Sequence, residues 1–168
     1  LALLGRHRVV PAAEVAQRLP TALTTADRTL ETADAFADWF RDERTRVYTS
    51  TDLPGVQLGG AIKNVIAIAA GISDGLGFGA NTRAALITRG LAEMSRLGRS
   101  LGGQAETFMG LTGMGDLILT CTDDQSRNRR VGLAIAAGKP IDAVLAEIGQ
   151  EAEGVNTTRV LYQKSTDD

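Results

Sequence analysis

Residues 59–71, GGAIKNVIAIAAG, place a single lysine in a run of small and apolar residues. Wound as a helix, the stretch puts Gly59 and Gly60 one turn behind Lys63, and Ile66, Ala67 and Ala70 ahead of it, all on one face. The chain has three lysines, Lys63, Lys139 and Lys164, and one of them stands here. A lysine on an apolar stripe ordinarily lays its methylenes on the core and its amine in water. Two features point elsewhere. The glycines one turn earlier leave a recess above the backbone, and the short alanines give the stem little to cover. A recessed ammonium loses hydration, which favours the neutral form of an amine. Such a group exchanges a proton with a substrate oxygen, as arginine cannot. Lys63 is therefore the candidate catalytic residue.

On the C-terminal side of this stretch the pattern stays helical. Ile87, Leu91, Met94 and Leu97 recur at helical spacing, with Arg89, Glu93 and Arg96 on the other side. Gly138-Lys139-Pro140 ends one helix and starts another, predicted over Asp142–Ile148. Val155–Leu161 is a last amphipathic stretch, with no closing helix expected after it. On the N-terminal side the character alternates. Leu1–Leu4 reads as a strand, Ala12–Arg18 as a short helix and Thr21–Ala26, preceded by Pro20, as a strand. Asp27 is the expected cap of a helix with apolar positions Leu30, Ala33, Phe36, Ala37 and Phe40, and Thr45–Ser50 returns to strand chemistry. That rhythm belongs to the end of an α/β sheet. The expected architecture is an incomplete α/β part over residues 1–55 and a mostly α part over residues 56–168.

The balance of 18 basic and 20 acidic residues, net charge −2, leaves no footprint for nucleic acid or a membrane surface. Cys121 is the one cysteine and His7 the one histidine, so no internal disulfide, metal-ligand pairing or histidine-based catalytic set can be assembled. No metal is expected. The longest apolar run, Val65–Ala70, is too short to cross a bilayer, and LALLGRHRVV has its arginines on the wrong side for a signal peptide. A reducing, cytoplasmic setting without membrane insertion follows. The chain begins without methionine, as a fragment of a longer gene product would.

Four further motifs carry chemistry or mimic it. GLGFGA, residues 75–80, formally satisfies a dinucleotide-binding fingerprint, but that motif needs a strand running into its first glycine. Residues 73–81 read instead as a turn between helices, with Asn81 or Thr82 capping the second. GMGDLILTC, residues 113–121, holds Asp116 between flexible glycines and an apolar run. That carboxylate is either a plain helix cap or an acceptor for substrate hydroxyls or the Lys63 ammonium. In DDQSRNRR, residues 123–130, Ser126 is a natural N-cap followed by Arg127, Asn128, Arg129 and Arg130, where the helix dipole disfavours cations. Basic residues there suit a phosphate held by backbone N–H groups, a hydroxyl and a guanidinium; the alternative is a solvated turn pairing with Asp123 and Asp124. Glu151-Ala152-Glu153-Gly154 says little alone.

Together, GGAIKNVIAIAAGISDGLGFGANTRAALITRGLAEMSRLG, GMGDLILTCTDDQSRNRR and Glu153-Gly154 resemble the bacterial NAD(P)-dependent glycerol-3-phosphate dehydrogenase family, from about Glu14 to Arg159. The resemblance implies the end of a Rossmann domain followed by a helical substrate domain of the 6-phosphogluconate-dehydrogenase C-terminal type. It implies interconversion of dihydroxyacetone phosphate and sn-glycerol 3-phosphate with NAD or NADP, supplying phospholipid backbones. By position, Lys63 is similar to the family's proton-transferring lysine, Asp116 to its substrate-binding aspartate, and Ser126, Arg127 and Asn128 to its substrate segment. Arg127 and Glu153 are implied to contact the cofactor.

The chain departs from the family pattern in three places. The glycine-rich nucleotide loop, with a second substrate-contacting lysine, is missing; Arg8-Val9-Val10-Pro11-Ala12 replaces a Gly-Pro-Ser/Thr-Phe-Ala stretch; and terminal helices beyond about Leu161 are absent. The polypeptide alone is expected neither to hold nicotinamide cofactor tightly nor to turn over. Two other readings stand beside this one: a different β-hydroxyacid-type dehydrogenase, and a non-catalytic helical interaction module. A homodimer is an assembly the sequence leaves open.

Overall fold

A computed structural model describes residues 21–149 and 152–167. The strand predicted over Leu1–Leu4, the helix over Ala12–Arg18, and His7 lie outside the described residues. Strand β1, Thr21–Ala26, and strand β2, Thr45–Ser50, pair in parallel, in register from Thr21 opposite Thr45 to Ala26 opposite Ser50. Helix α1, Leu30–Asp38, joins them and buries Ala33 and Ala37. Its cap is Thr29, whose side chain accepts the N–H of Thr32 at 3.2 Å. Asp27, expected in that role, lies two residues too early and accepts the N–H of Thr29 instead. Phe40, expected on the helix, falls in the turn that follows.

The second strand ends at Ser50, and every element after it among the described residues is helical. Helix α2, Leu53–Gly75, starts where Asp52 caps Gly55 N–H at 2.9 Å and Pro54 occupies the first turn, which suits its missing N–H. The same buried carboxylate accepts the Gln104 N–H at 2.8 Å and the Thr107 hydroxyl at 2.6 Å. One acid thus ties the helix start to a segment some fifty residues later.

Helix α3 spans Gly79–Ser100, α4 Ala105–Met109, a π-helical turn Leu111–Gly115, α5 Asp116–Thr122, α6 Arg127–Ala136, α7 Ile141–Ile148 and α8 Glu153–Asp167. The turn between α2 and α3 is shorter than the sequence suggests. Gly77 and Gly79 both take φ of +80°, a conformation glycine adopts without a Cβ penalty, so α3 starts at Gly79 with no side-chain cap. Neither Asn81 nor Thr82 caps it; Thr82 Oγ1 donates inside the helix to Phe78 O. No strand enters the GLGFGA glycines, as expected. Helix α8 runs past Leu161 to Asp167, so the stretch expected to lack a closing helix is helical. Glu153 in its first turn and Lys164 in its last complement the helix dipole.

Helix α2 is long and apolar enough to cross a membrane by length and composition, beyond what its apolar run suggested. In the fold it is the central helix, packed by α3, α5, α6 and α8. One core cluster gathers its Ile62, Ala67 and Ala70 with Met94 of α3, Phe108 of α4, and Leu117 and Cys121 of α5. A second joins Val131 of α6, Val144 of α7 and Ala152. Full burial of side chains such as Phe108, Met94 and Leu117 contributes about 1.5–3 kcal/mol each. The α2–α6 crossing is closer still: a Cβ on Gly71 would stand 2.1 Å from Arg129 O, and one on Gly132 2.1 Å from Ile68 O. Backbone meets backbone there because neither residue has a side chain.

Candidate active site

Lys63 and Asn64 are consecutive on α2, and two groups of predicted site residues gather around them. Lys63 Nζ donates to Asp116 Oδ2 at 2.7 Å, with side chains 13% and 5% exposed. The recess expected beside Gly59 is filled by chain: a Cβ there would meet Thr112 O at 3.2 Å. The π-helical turn holding Thr112 runs directly into Asp116, so the close approach at Gly59 carries the carboxylate toward the lysine. Asp116 is the first residue of α5, Gly115 takes the cap position, and the carboxylate faces Lys63 rather than the helix's own N–H groups. The amine is therefore ion-paired, not merely recessed. Burial pushes the Asp116 carboxyl up, but attraction to the Lys63 ammonium and its hydrogen bond more than offset this, holding it below the usual carboxylate range. Removing one partner of such a buried pair costs about 3–5 kcal/mol.

The second group sits where α2, α6 and α8 meet. Asn64, 5% exposed, donates through Nδ2 to Glu153 Oε2 and to Gly60 O, both at 3.2 Å. Asn128 is buried, and its Oδ1 accepts the Gly154 N–H at 3.0 Å. Gly154 is required there, because a Cβ would lie 2.7 Å from both Asn128 Oδ1 and Asn64 O. Ser126 caps α6, accepting the Arg129 N–H at 3.2 Å, and Arg127 is exposed at the first helical position. The sequence reading passed over Asn64. Its signal was a polar amide beside Lys63 on an otherwise apolar helix, a position seldom buried without a partner.

Arg129 departs from the expectation that the whole basic run faces an anion. Its side chain is 9% exposed and donates to Asp74 Oδ2 at 2.8 Å and Asp124 Oδ1 at 2.5 Å, while Arg83 of α3 reaches the same Asp74 oxygen at 2.6 Å. The alternative of pairing with Asp124 holds for this arginine. Burial raises the Asp74 carboxyl, and the Arg83 and Arg129 hydrogen bonds bring it below its ordinary value. Nearby Cys121 is buried and its thiol is pushed up to about 12, so it is a core residue rather than a nucleophile. No group of three or more His, Cys, Asp and Glu side chains that could hold a metal occurs among the described residues.

A chain with this site is similar to known proteins over most of its length. Residues 52–167 match the family described as NAD-dependent glycerol-3-phosphate dehydrogenase C-terminus. The chain is 64% identical over 156 residues to a glycerol-3-phosphate dehydrogenase [NAD(P)+] of Thioalkalivibrio sulfidiphilus, covering 93% of this chain and 47% of that protein. It is 62% identical to the protein of that name from Nitrosospira multiformis, covering 92% and 46%. A solved glycerol-3-phosphate dehydrogenase from Coxiella burnetii superposes with TM-score 0.84 at 49% identity, covering 91% of this chain and 48% of that one. The enzyme from Saccharomyces cerevisiae follows at TM-score 0.75 and 31% identity, covering 86% and 44%. The chain spans about half the length of the curated relatives it matches.

Proposed function

This chain belongs to the NAD-dependent glycerol-3-phosphate dehydrogenase family, and on that premise we propose that it carries the substrate-binding and proton-transferring half of an oxidoreductase interconverting sn-glycerol 3-phosphate and dihydroxyacetone phosphate. The observation that supports this most is the buried Lys63–Asp116 pair at 2.7 Å. Residues 1–55 are then the end of a dinucleotide-binding domain and 56–168 a substrate domain.

The start of α6 takes the phosphate, through first-turn N–H groups without intrahelical partners and the Arg127 guanidinium, with Ser126 and Asn128 alongside. Anchoring that non-reacting end positions the carbonyl for reaction. Lys63 Nζ gives its proton to the ketone oxygen as the alcohol forms, and takes it back in the reverse direction. Asp116, held ionised by its neighbour, cannot serve as the acid near neutral pH; it orients the ammonium. A bound nicotinamide cofactor would supply the hydride chemistry, its reduced form, NADH or NADPH, giving hydride to the carbonyl carbon and its oxidised form accepting it in the reverse direction. Among the described residues the donor set suits one end of such a cofactor: the Glu153 carboxylate already accepts an amide N–H from Asn64, and Arg127 offers a fork to phosphate. The product is a phospholipid backbone, and a cytoplasmic homodimer without membrane insertion completes the proposal.

The test has two parts. Titrating the chain with sn-glycerol 3-phosphate is expected to raise its melting temperature, because ligand bound only by the folded state stabilises it. In the enzyme completed by its upstream gene sequence, NAD(P)H oxidation with dihydroxyacetone phosphate is expected to collapse on Lys63→Ala. Undiminished turnover in that variant would overturn the assignment.

A further inference from the structure

We propose that Arg129 is a positioning residue: its guanidinium, clamped by Asp74 beneath the start of α6, sets where Ser126, Arg127 and Asn128 stand relative to Lys63. This rests on the phosphate-site reading of that helix start. Arg129 holds the first turn at both of its ends. Its backbone N–H is the one capped by Ser126 Oγ, and its side chain turns away from that face to Asp74 and Asp124. Asp74 is itself fixed from two sides, since Arg83 of α3 bonds the same oxygen.

Asp74 lies eleven residues after Lys63 on one uninterrupted helix, about 16 Å along its axis at 1.5 Å per residue. Helix α2 is thus a rigid rule with the lysine at one mark and the clamp at another. The Gly71 and Gly132 contacts define where α6 crosses that rule. Crossing points alone leave rotation about them; the guanidinium bond, one turn beyond, removes it. Arginine suits this task and lysine does not, because a planar fork reaches two acids in fixed directions while an ammonium is a point charge. The remaining donor, Nε, is buried without a partner, so the side chain is seated for its two terminal nitrogens. No step of the reaction uses Arg129, whose two terminal nitrogens are engaged by Asp74 and Asp124.

The test uses the 168-residue chain, with Arg129→Lys as the conservative variant, Asp74→Asn as the second, and Arg127→Ala as the ligand-site control. Melting curves, amide NMR spectra and calorimetric titration with sn-glycerol 3-phosphate are recorded for each. Arg129→Lys is expected to melt cooperatively, to move the amide signals of Ser126, Arg127 and Asn128, and to weaken the ligand about 10- to 100-fold, as misplacement of roughly an ångström does. Asp74→Asn should weaken it similarly, and the double variant little more, because both act through one contact. Unmoved signals at those three residues with affinity within about twofold would overturn the proposal. Should the unaltered chain bind no glycerol 3-phosphate, the functional reading falls, and the three amide signals alone decide the positioning role.

Discussion

Helix α2 bears two buried ion pairs that differ in what they can do. At Lys63 one ammonium meets one carboxylate, and the lysine side chain keeps 13% of its surface exposed. At Asp74 one carboxylate is shared by two guanidiniums, and the Arg129 side chain is 9% exposed. Burial is nearly the same in both. The difference is the chemistry of the cation: an ammonium can release a proton, a guanidinium cannot, and a fork fixes direction where a point charge does not. One helix therefore carries a pair suited to reaction and a pair suited to alignment.

Acid is expected to break both at once, with the largest effect. Asp52, Asp74 and Asp116 all have carboxyls held below their ordinary value in the fold. A lowered folded-state pKa contributes stability that is fully present above the unfolded value, about 3.9, and is lost as pH falls through the folded one. Circular dichroism should show stability flat near neutrality and falling below about pH 4; a chain equally stable at pH 2 would contradict the paired geometry. Lys63→Arg separates the two kinds of pair more sharply. It keeps a charge beside Asp116 but cannot give up a proton, so turnover in the completed enzyme should drop about 10²–10⁴-fold, with a far smaller change in melting temperature. Asp74→Ala acts first on stability, leaving Arg129 buried beside Asp124 alone. Urea unfolding should register a loss of about 3–5 kcal/mol. The smallest effect belongs to Ser126→Ala, which removes one cap and should cost about 1 kcal/mol in the same assay.

Much of this was legible in the sequence because it is local. Strands at Thr21–Ala26 and Thr45–Ser50, the Ser126 cap and the helix carrying Lys63 follow from alternation, helical spacing and a hydroxyl before a basic turn. Caps at Asp27, Asn81 and Thr82 were misplaced: Thr29 caps α1 two residues after Asp27, and α3 starts from the Gly77–Gly79 turn ahead of Asn81. Pairing of Asp116 with Lys63 was one of three open options, beside a helix cap and an acceptor for substrate hydroxyls, and the 2.7 Å contact shows that pairing. The Asn64–Glu153 bond joins residues 89 apart, and the Arg129–Asp74 pair joins residues 55 apart. No periodicity carries such information.

The sequence by itself determined both strands, the course of the longer helices, and which side chains have the chemistry for proton transfer and phosphate binding. Only the tertiary structure decided which of the three arginines in the first turn of α6, Arg127, Arg129 and Arg130, is spent on alignment, and that the niche beside Gly59 is filled by chain rather than open. The physical reason is range. Helix propensity and amphipathicity act over one or two turns, whereas an ion pair or a glycine-to-backbone contact depends on where a distant segment comes to rest.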